Sequence, residues 1–541
     1  MKRIVSLLFF ITAITGLSWA DTTWVEQGDA NGQWTMEDSP YMITGHLQVI
    51  GRDTLFVERG VRIVFTGPYR IYVFGGIEVY GTAENPVVFT ADTTVNQDGW
   101  GGLRFISAHA LSHLNYCIIE NGRAEGSAEY GLGGGIYCEN SQVELNHSEI
   151  RFCKAGSGHG IYARERSKVN LNETVLFSNG SDVGSGGGIC LRVNSELVAN
   201  GAVFDANKAL YGGGITTDES TVTLQNCVLR KNTASVNGGG IFSTSSTVTL
   251  KHTFLLSNLS IGGGGMDGRS NTTLLMDRCV VAGNSAVNNG AQGNGGGLLL
   301  QSGPQQISHC TFMNNEAMLG GAIYGGTALT VRSSIFARQV DGGGMYFPLP
   351  GVNVRYSCFF DNTDGNFNGP QMPRDLGTLV SINANYDSCD VYRNILLNPL
   401  FDDSSANMYA LTAGSPCIDA GDPNLPVDPD GSLPDQGAFW FSPLTADEPV
   451  SLLPQAVALH PAYPNPFNPS THLDFDVART GLVSLQVFDL LGRRVATLIN
   501  THLQPGSYSA SWNAADVPSG TYFAVLEEGG VRFTQKLLLL K

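Results

Sequence analysis

The chain has 541 residues, with 31 basic and 48 acidic side chains and a formal net charge of −17. This acidic balance argues against nucleic acid and anionic membranes as partners, because both repel a negatively charged surface. Glycine occurs 67 times and 42% of the residues are hydrophobic, so the composition fits a β-solenoid and excludes a disordered chain.

Residues 1–20 have the three parts of a secretory signal peptide. Lys2 and Arg3 form the positive start, residues 4–17 form the apolar stretch, and Ser18-Trp19-Ala20 is a small-x-small cleavage site. A membrane anchor is the alternative, but the apolar run is short. No other stretch approaches the roughly 20 apolar residues that cross a bilayer. The sequence predicts an exported chain without a transmembrane span.

The next segment, residues 21–105, is predicted to hold the N-terminal rungs and cap of a solenoid. Short alternating runs such as Leu55-Phe56-Val57-Glu58 are separated by glycines, as at Gly60 and Gly81. Alternation with a period of two indicates strands. These runs resemble the opening of many secreted β-helix proteins, in which a strand edge is covered against aggregation.

Residues 106–345 repeat one phrase: an apolar residue, two variable positions and Asn, then a glycine run closed by an aliphatic residue. One copy reads Leu229-Arg230-Lys231-Asn232 and then Gly238-Gly239-Gly240-Ile241. Steps of about 25 to 28 residues separate most copies, as in a solenoid with one unit per repeat. Strand-like alternation inside each unit excludes helical repeats. It predicts a right-handed parallel β-helix with rungs about 4.8 Å apart.

Two columns of the repeat have predicted structural roles. The glycines allow sharp corners and the close approach of neighbouring rungs. The asparagines tolerate left-handed turns, and their amides are predicted to stack as a hydrogen-bonded ladder along the axis. The predicted ladder consists of Asn179, Asn207, Asn232, Asn258, Asn284 and Asn315.

The phrase resembles the repeat of the polymorphic outer-membrane proteins, a β-helical group of secreted surface proteins. The resemblance covers residues 115–345. In that group the scaffold carries adhesion, but no single residue position transfers that function to this chain. The resemblance therefore implies a β-helical scaffold, and it does not identify any binding-site residue.

The ten cysteines divide into groups with different predicted roles. Three share one repeat column and are predicted to line the interior as small apolar side chains: Cys227, Cys279 and Cys310. Three others lie outside the clean repeats and are better candidates for disulfide bridges: Cys358, Cys389 and Cys417. The sequence contains no Cys-x-x-Cys pair, so it does not support a zinc site.

Residues 346–442 lose the glycine triplets and are predicted to form the last rungs and the C-terminal cap. The block Gly414-Ser415-Pro416-Cys417-Ile418-Asp419-Ala420-Gly421 resembles the closing block of secreted β-helix proteins. Asp428, Asp430 and Asp435 follow around a turn, and oxygens at this spacing would suit a structural calcium ion. Asp-Pro and Asp-Gly are also ordinary turn formers, so both interpretations stay open.

The pattern changes after a Pro- and Ser-containing linker at residues 443–454. Clean alternation, as in Leu482-Val483-Ser484-Leu485, and the hairpin signal Glu528-Gly529-Gly530 predict about seven short strands in residues 455–541. This number of short strands indicates a small Ig-like β-sandwich.

The sandwich resembles the C-terminal sorting domain of type IX secretion substrates, which is related to the flagellar hook-capping Ig-like domain. The matching motifs are Tyr463-Pro464-Asn465-Pro466-Phe467-Asn468-Pro469, Phe488-Asp489-Leu490-Leu491-Gly492-Arg493, Pro518-Ser519-Gly520-Thr521-Tyr522-Phe523 and residues 536–541. The resemblance implies recognition by the outer-membrane secretion machinery of a Gram-negative bacterium, and a secreted or surface-bound product. A carbohydrate-binding sandwich is the alternative.

Three motifs resemble those that polygalacturonase-type hydrolases bring together: Gly158-His159-Gly160, Asn362-Thr363-Asp364 and the pair Asp402-Asp403. Here the histidine motif comes first instead of last, and about eight rungs of 4.8 Å separate His159 from Asp364 by roughly 40 Å. Two carboxylates must lie within about 10 Å of each other to flank one glycosidic bond. We therefore predict no catalytic residue, and we interpret His159 as a repeat variation with an exposed imidazole.

One strip of the repeat is the candidate ligand-binding site. The position after the closing aliphatic residue is often aromatic, and the position three residues after it is often charged. The candidate residues are Tyr137, Glu139, Tyr162, Arg164, Arg192 and Asp218. If these side chains face outward, the strip would stack sugar rings. Stacked aromatics and alternating charges also stabilise adjacent rungs without any ligand, which is the interpretation that we favour.

The sequence thus predicts an all-β, right-handed parallel β-helix over residues 21–442, followed by the Ig-like sandwich. The predicted function is adhesion to, or binding of, an extracellular glycan or another surface such as that of a host cell. The alternative is a polysaccharide lyase or glycoside hydrolase of pectate-lyase-like fold, whose converging groups the sequence permits only in residues 130–220. No cofactor is predicted apart from the calcium alternative.

Overall fold

The computed structural model describes residues 22–126, 128–288, 290–402, 408–441, 458–459, 462, 465–477, 481–503, 506–528 and 531–541. The predicted signal peptide (1–20) and the predicted linker (443–454) lie outside these residues. Two compact units divide the chain: Met1–Leu400 with Gly414–Trp440, and Phe401–Ala413 with Phe441–Lys541. In the described residues all regular structure is β, apart from one 3₁₀ turn at Ala128–Gly131.

The first unit is the predicted right-handed parallel β-helix, in which three long parallel sheets share one axis. The first sheet contains Thr23–Val25, Tyr41–Ile43, Arg62–Phe65, Val87–Ala91, Cys117–Glu120, Glu149–Arg151, Val175–Phe177, Val203–Asp205, Val228–Arg230, Phe254–Leu256, Val280–Ala282, Thr311–Met313, Ile335–Ala337 and Cys358–Phe360. The second contains Gly28–Asp29, Leu47–Val49, Ile71–Val73, Leu103–Ile106, Ile136–Glu139, Ile161–Arg164, Ile189–Arg192, Ile215–Asp218, Ile241–Thr244, Met266–Arg269, Leu298–Leu300, Ile323–Tyr324, Met345–Tyr346 and Phe367–Asn368. The third contains Gly32–Trp34, Thr54–Glu58, Gly76–Tyr80, Ser112–Asn115, Gln142–Asn146, Lys168–Asn172, Glu196–Asn200, Thr221–Gln225, Thr247–Lys251, Thr273–Asp277, Gln305–Ser308, Leu329–Arg332 and Asn353–Arg355.

Register along the axis creates the core of the β-helix. Ile189 pairs with Ile215, and Ile215 pairs with Ile241. All three side chains are fully buried in one continuous apolar cluster. Because strand side chains alternate with a period of two, in-register stacking sends each column wholly inward or wholly outward.

The glycine runs form the corners that lead into the second sheet. Gly238 has a φ of +68°, and a Cβ at this position would collide with the carbonyl oxygen of Ile241. A Cβ on Gly239 would collide with the carbonyl oxygen of Gly264 in the next rung. Glycine is required here because both the left-handed backbone and the rung spacing exclude a side chain.

The predicted asparagine column lies buried beside these corners. Asn232 donates from Nδ2 to the carbonyl oxygen of Phe204 at 2.8 Å and to Oδ1 of Asn258 at 3.0 Å. Its Oδ1 accepts from the backbone N–H of Asn207 at 3.0 Å and from Nδ2 of Asn207 at 3.1 Å. The same contacts join the other members and extend the column by two residues that the repeat pattern did not include: Asn179, Asn207, Asn232, Asn258, Asn284, Asn315, Gln339 and Asn362.

The three long sheets end inside the segment that was predicted to hold the last rungs and the C-terminal cap, residues 346–442. The last strand of the three sheets ends at Asn368, and beyond it the described residues of the first unit add only the antiparallel pair of strands Ser381–Ile382 and Ser388–Cys389. Most of residues 346–442 is therefore cap and not rungs. The reason is local, because this region has lost the glycine triplets that form each corner.

Residues 414–440, which we call the cap segment, lie on the outer face of the first sheet. The backbone N–H of Ala438 donates to Oγ1 of Thr311 at 3.0 Å, and the ring of Phe439 lies 6.2 Å from that of Phe254. Outward side chains of the first sheet, including Thr311 and Ile335, are consequently fully buried. The cap segment thus gives the last rungs a second apolar interface.

Two short additional sheets accompany the corners, namely the parallel pair Lys208–Tyr211 with Thr233–Asn237 and the antiparallel pair Val287–Asn288 with Ala291–Gln292. These segments lie where the glycine runs approach the second sheet. They show that the corners are ordered structure with their own backbone pairing.

All ten cysteines are described, and all are buried free thiols. The structure places three of them in the interior cluster as predicted: Cys227, Cys279 and Cys310. The bridge candidates outside the repeats are present as free, buried thiols: Cys358, Cys389 and Cys417. Interior thiols are satisfied by backbone acceptors, since Sγ of Cys227 donates to the carbonyl oxygen of Gln225 at 3.1 Å.

The described residues of the second unit form seven strands in two antiparallel sheets, as expected for a small sandwich. One sheet contains Ala458–Leu459, Ser470–Val477 and Gly506–Asn513, and the other contains Arg494–Leu503, Gly481–Asp489, Gly520–Glu528 and Val531–Leu539. Their inner faces share a core that includes Phe475, Leu485 and Trp512. The turn glycines 529–530 and motif residues 463–464 lie outside the described part. Among the described residues, no helix has the length and apolar content to span a bilayer.

Candidate ligand-binding surface

The aromatic part of the predicted strip is not exposed, which corrects the expectation for Tyr137 and Tyr162. Both side chains point outward from the second sheet, but Tyr137 is fully buried and Tyr162 is 6% exposed. Their rings stack at 5.9 Å, and the guanidinium of Arg104 lies 4.1 Å from the Tyr137 ring. Leu132, from the segment before the corner, packs against the pair. Burial raises the pKa of Tyr162 to about 12.

The charged part of the strip forms ion pairs between adjacent rungs. Nε of Arg164 lies 3.4 Å from Glu139, and Nη1 of Arg192 lies 3.1 Å from Asp218. Both pairs join residues that are partners in the strand register. Asp218 also accepts a hydrogen bond from Oγ1 of Thr244 at 2.5 Å. The charged residues of the strip therefore pair with one another. Such cross-strand ion pairs stabilise the stacking of adjacent rungs.

The second sheet also carries a buried outward-pointing carboxylate, Asp267, that the sequence pattern did not predict. Asp267 is fully buried and accepts from Nε of Arg269 at 3.0 and 3.1 Å. The Arg269 guanidinium also lies 5.8 Å from the ring of Phe242. Burial raises the pKa of Asp267 to about 6, although Arg269 acts to lower it. The signal was an acid in a column whose members from Tyr137 to Tyr346 are otherwise uncharged and mostly aromatic.

His159 is also buried, contrary to the predicted exposed imidazole. Its Nδ1 accepts from the backbone N–H of Ala155 at 2.9 Å, and its Nε2 lies 2.9 Å from the carbonyl oxygen of Val183. These contacts fix the tautomer with the proton on Nε2. Burial lowers the pKa of His159, so the neutral imidazole joins two loop backbones.

The three cap carboxylates do not converge on a common point. Asp428 forms an ion pair with Nη2 of Arg278 at 2.8 Å and accepts from the backbone N–H of Asp435 at 2.8 Å. Asp435 accepts from the backbone N–H of Asp419, and Asp430 closes an exposed turn with its neighbour Ser432. Within the described part of the chain, no group of three His, Cys, Asp or Glu side chains could hold a metal ion.

The outer face of the third sheet presents a regular array of hydroxyl groups. Thr221 and Thr247 pair in register and are exposed, and Thr223 and Thr249 pair beside them with half-buried side chains. Thr273 continues the outer row in the next rung. We call these five threonines the hydroxyl face. Their spacing is about 4.8 Å between rungs and about 6.6 Å along each strand.

A row of amides lies on the same sheet in more N-terminal rungs, and the strand Glu196–Asn200 separates it from the hydroxyl face. Nδ2 of Asn172 donates to Oδ1 of Asn146 at 2.7 Å, and Nδ2 of Asn146 donates to Oδ1 of Asn115 at 2.8 Å. Unlike the buried column, these side chains are half-buried and accessible to solvent. At the strand entrance a groove adjoins the threonines, lined by Asn194, Ser195, Glu196, Glu219, Ser220, Thr221, Ser245 and Thr247.

The sequence carried a signal for this surface. The runs Thr221-Val222-Thr223 and Thr247-Val248-Thr249 alternate, and burial of the valines places the threonines outward. The two runs predicted that the threonines point outward. They did not predict that this face stays exposed, because exposure depends on the loops and the cap segment.

Three family models match the chain. A pectate-lyase-like β-helix domain matches residues 28–143, a right-handed β-helix region matches residues 134–318, and a secretion-system C-terminal sorting domain matches residues 461–540. No curated protein and no solved structure matches the chain.

The fold and these matches define the class: a right-handed parallel β-helix protein with a secretion-system C-terminal sorting domain. The sorting domain makes this chain a secreted or cell-surface protein, exported through a type IX route. It also implies interaction of that domain with the secretion machinery.

Proposed function

We propose that the protein binds an extracellular polysaccharide through the hydroxyl face, and so acts as an attachment protein on the outer surface of a Gram-negative bacterium. The single observation that carries this proposal is the in-register array of uncovered threonines on the third sheet. Loop segments and the cap segment bury outward residues of the other two sheets at Tyr137 and Ile335.

The chemistry of the face suits a repetitive, hydroxyl-rich polymer. Each threonine hydroxyl both donates and accepts hydrogen bonds, as sugar hydroxyls do, and the amide row adds further donors and acceptors. Straight rows with a constant rung spacing present identical groups at identical intervals. The absence of formal charge on these five threonines favours a neutral glycan over an acidic one.

Binding to insoluble polysaccharides, measured by co-sedimentation of the full-length exported protein, tests the proposal. The double variant Thr223→Val and Thr249→Val removes two hydroxyls at nearly constant volume. We expect it to weaken binding at least tenfold and to leave the unfolding midpoint unchanged. Thr54→Val, on the same sheet near the N-terminal end, is the matched control and should bind normally. Equal binding by all three proteins would contradict the proposal.

The alternative function is a polysaccharide lyase or glycoside hydrolase, and the same preparation distinguishes it. Unsaturated products or new reducing ends, released from acidic and neutral polysaccharides, would identify an enzyme. Release that persists in the double threonine variant would place the reaction away from the hydroxyl face.

A further inference from the structure

Two thiols meet where the cap segment lies on the solenoid. Cys358 belongs to Cys358–Phe360, the last strand of the first sheet, and Cys417 belongs to the cap segment. Both are fully buried, yet neither belongs to the interior apolar cluster that contains the neighbouring Phe359. They therefore lie between the outer face of the sheet and its cover. Sγ of Cys358 donates to the carbonyl oxygen of Leu397 at 3.1 Å, and the Cys358 thiol is also a side-chain partner of Cys417.

Backbone contacts hold both cysteines in place. The N–H of Cys358 donates to the carbonyl oxygen of Ser334 at 2.9 Å. The N–H of Cys417 donates to Oγ of Ser415 at 3.1 Å, and its carbonyl oxygen accepts from the N–H of Gln436 at 2.9 Å. The two side chains thus approach each other from segments whose positions are fixed independently.

We propose that Cys358 and Cys417 form a disulfide bond that fastens the cap segment to the last strand of the first sheet during export. Two thiols lose two protons and two electrons, and one S–S bond forms. The oxidant is the disulfide of an exported protein thiol oxidase, which becomes a dithiol. A mixed disulfide with one cysteine forms first, and the thiolate of the other cysteine displaces the oxidase.

Burial of the two thiols determines when the disulfide can form. The thiolate is the attacking species, and burial raises the pKa of Cys417 well above its ordinary value. Exchange must therefore precede the final closure of the cap segment. The exported compartment is oxidising, so the chain meets the oxidant before it reaches the cell surface.

Another pair of neighbouring thiols does not suit a bridge. Cys279 and Cys310 occupy one interior column of adjacent rungs, and the N–H of Thr311 donates to the carbonyl oxygen of Cys279. In-register side chains on parallel strands are about 4.8 Å apart, beyond the roughly 3.8 Å mean Cβ separation of disulfides. Cys279 is likewise a side-chain partner of Cys310, so the spacing of in-register strands is what distinguishes this pair from Cys358 and Cys417.

Peptide mapping of the full-length chain, exported to an oxidising periplasm and alkylated under denaturing conditions without reductant, tests the bridge. We expect one linked peptide pair, Cys358 with Cys417, two hydrogens lighter than the separate peptides, with the other eight of the ten cysteines alkylated. Alkylation of both residues, or a link from either one to Cys389, would overturn the proposal.

Cysteine variants provide a second test of the bridge. Cys389→Ser, the matched control in the same cap region, should keep the link, whereas Cys358→Ser should leave Cys417 as an alkylated thiol. Reduction should speed proteolytic cleavage of the cap segment in the wild type and change nothing in Cys417→Ser. An equal effect of reductant on both proteins would overturn the proposal. If a variant fails to accumulate, the wild-type peptide map still decides the matter.

Discussion

At the residue scale, the buried asparagine column shows how one amide serves two rungs. Asn232 donates twice and accepts twice within the interior, with partners in the rungs on either side. A fully satisfied amide network is costly to interrupt, because the low dielectric of the interior strengthens each bond and penalises each orphan.

Asn232→Ala should lower the free energy of unfolding by about 1–3 kcal/mol for each partner left unsatisfied. Chemical denaturation measures this loss. Asn172→Ala is the matched control, because it removes an asparagine from the half-buried amide row, where water replaces the amide. We expect a change within about 0.5 kcal/mol for the control. Equal losses in the two variants would refute the distinction between the buried column and the half-buried amide row.

Asp267 gives the solenoid a pH-dependent stability. Its pKa is about 6 in the folded chain against an ordinary value of 3.8, so the folded state holds this proton more tightly. The contribution of Asp267 is therefore fully present below about pH 4. It is lost as the pH rises to about 6, by at most about 3 kcal/mol.

Asp267→Asn should remove this component of the pH dependence, because the amide does not titrate in that range. Urea unfolding of both proteins between pH 4 and pH 7 measures the difference. Parallel curves for wild type and variant across that interval would show that Asp267 has an ordinary pKa.

At the element scale, one buried ion pair anchors the cap segment to the solenoid. The Arg278 side chain is 16% exposed and that of Asp428 is 1% exposed, and they meet at 2.8 Å. Removing one partner of a buried pair leaves an uncompensated charge, which costs more than the pair itself contributes.

Asp428→Ala should destabilise the chain by about 3–5 kcal/mol and expose the cap segment to proteases. Asp430→Ala, two residues away at an exposed turn, is the matched control and should be nearly silent. Limited proteolysis with denaturation checks both variants. If calcium stabilised the wild type and this effect vanished in Asp428→Ala, Asp428 would be a calcium ligand and not only the partner of Arg278.

At the scale of the whole molecule, the two units have separate cores and separate predicted tasks. A chain that ends at Phe441 should keep the unfolding midpoint of the solenoid, because each core is built from its own residues. In the native host this truncated chain should stay inside the outer membrane. Surface proteolysis and cell fractionation, with the full-length chain as control, measure its location. A truncated chain on the cell surface would contradict the sorting role.

Residue spacing and motifs were enough to predict the repeat, the inward columns and the sorting domain. Ile215 and Asn232 could be assigned from spacing because each rung repeats the same local geometry, so a column in the sequence becomes a column in space. The sorting domain could be recognised for a similar reason, because each of its motifs is a short continuous stretch of sequence. The buried state of Tyr137 and His159 could not be obtained in this way.

Which outward columns meet solvent could not be predicted from the repeat, because it depends on packing between distant segments. Outward from a strand does not mean exposed, since Leu132 packs over the tyrosine pair and the cap segment buries Ile335. These covers come from segments outside the strand repeat, and their contacts depend on three-dimensional closure. The period of the strands fixes the direction of a side chain, whereas non-repeating segments fix its environment.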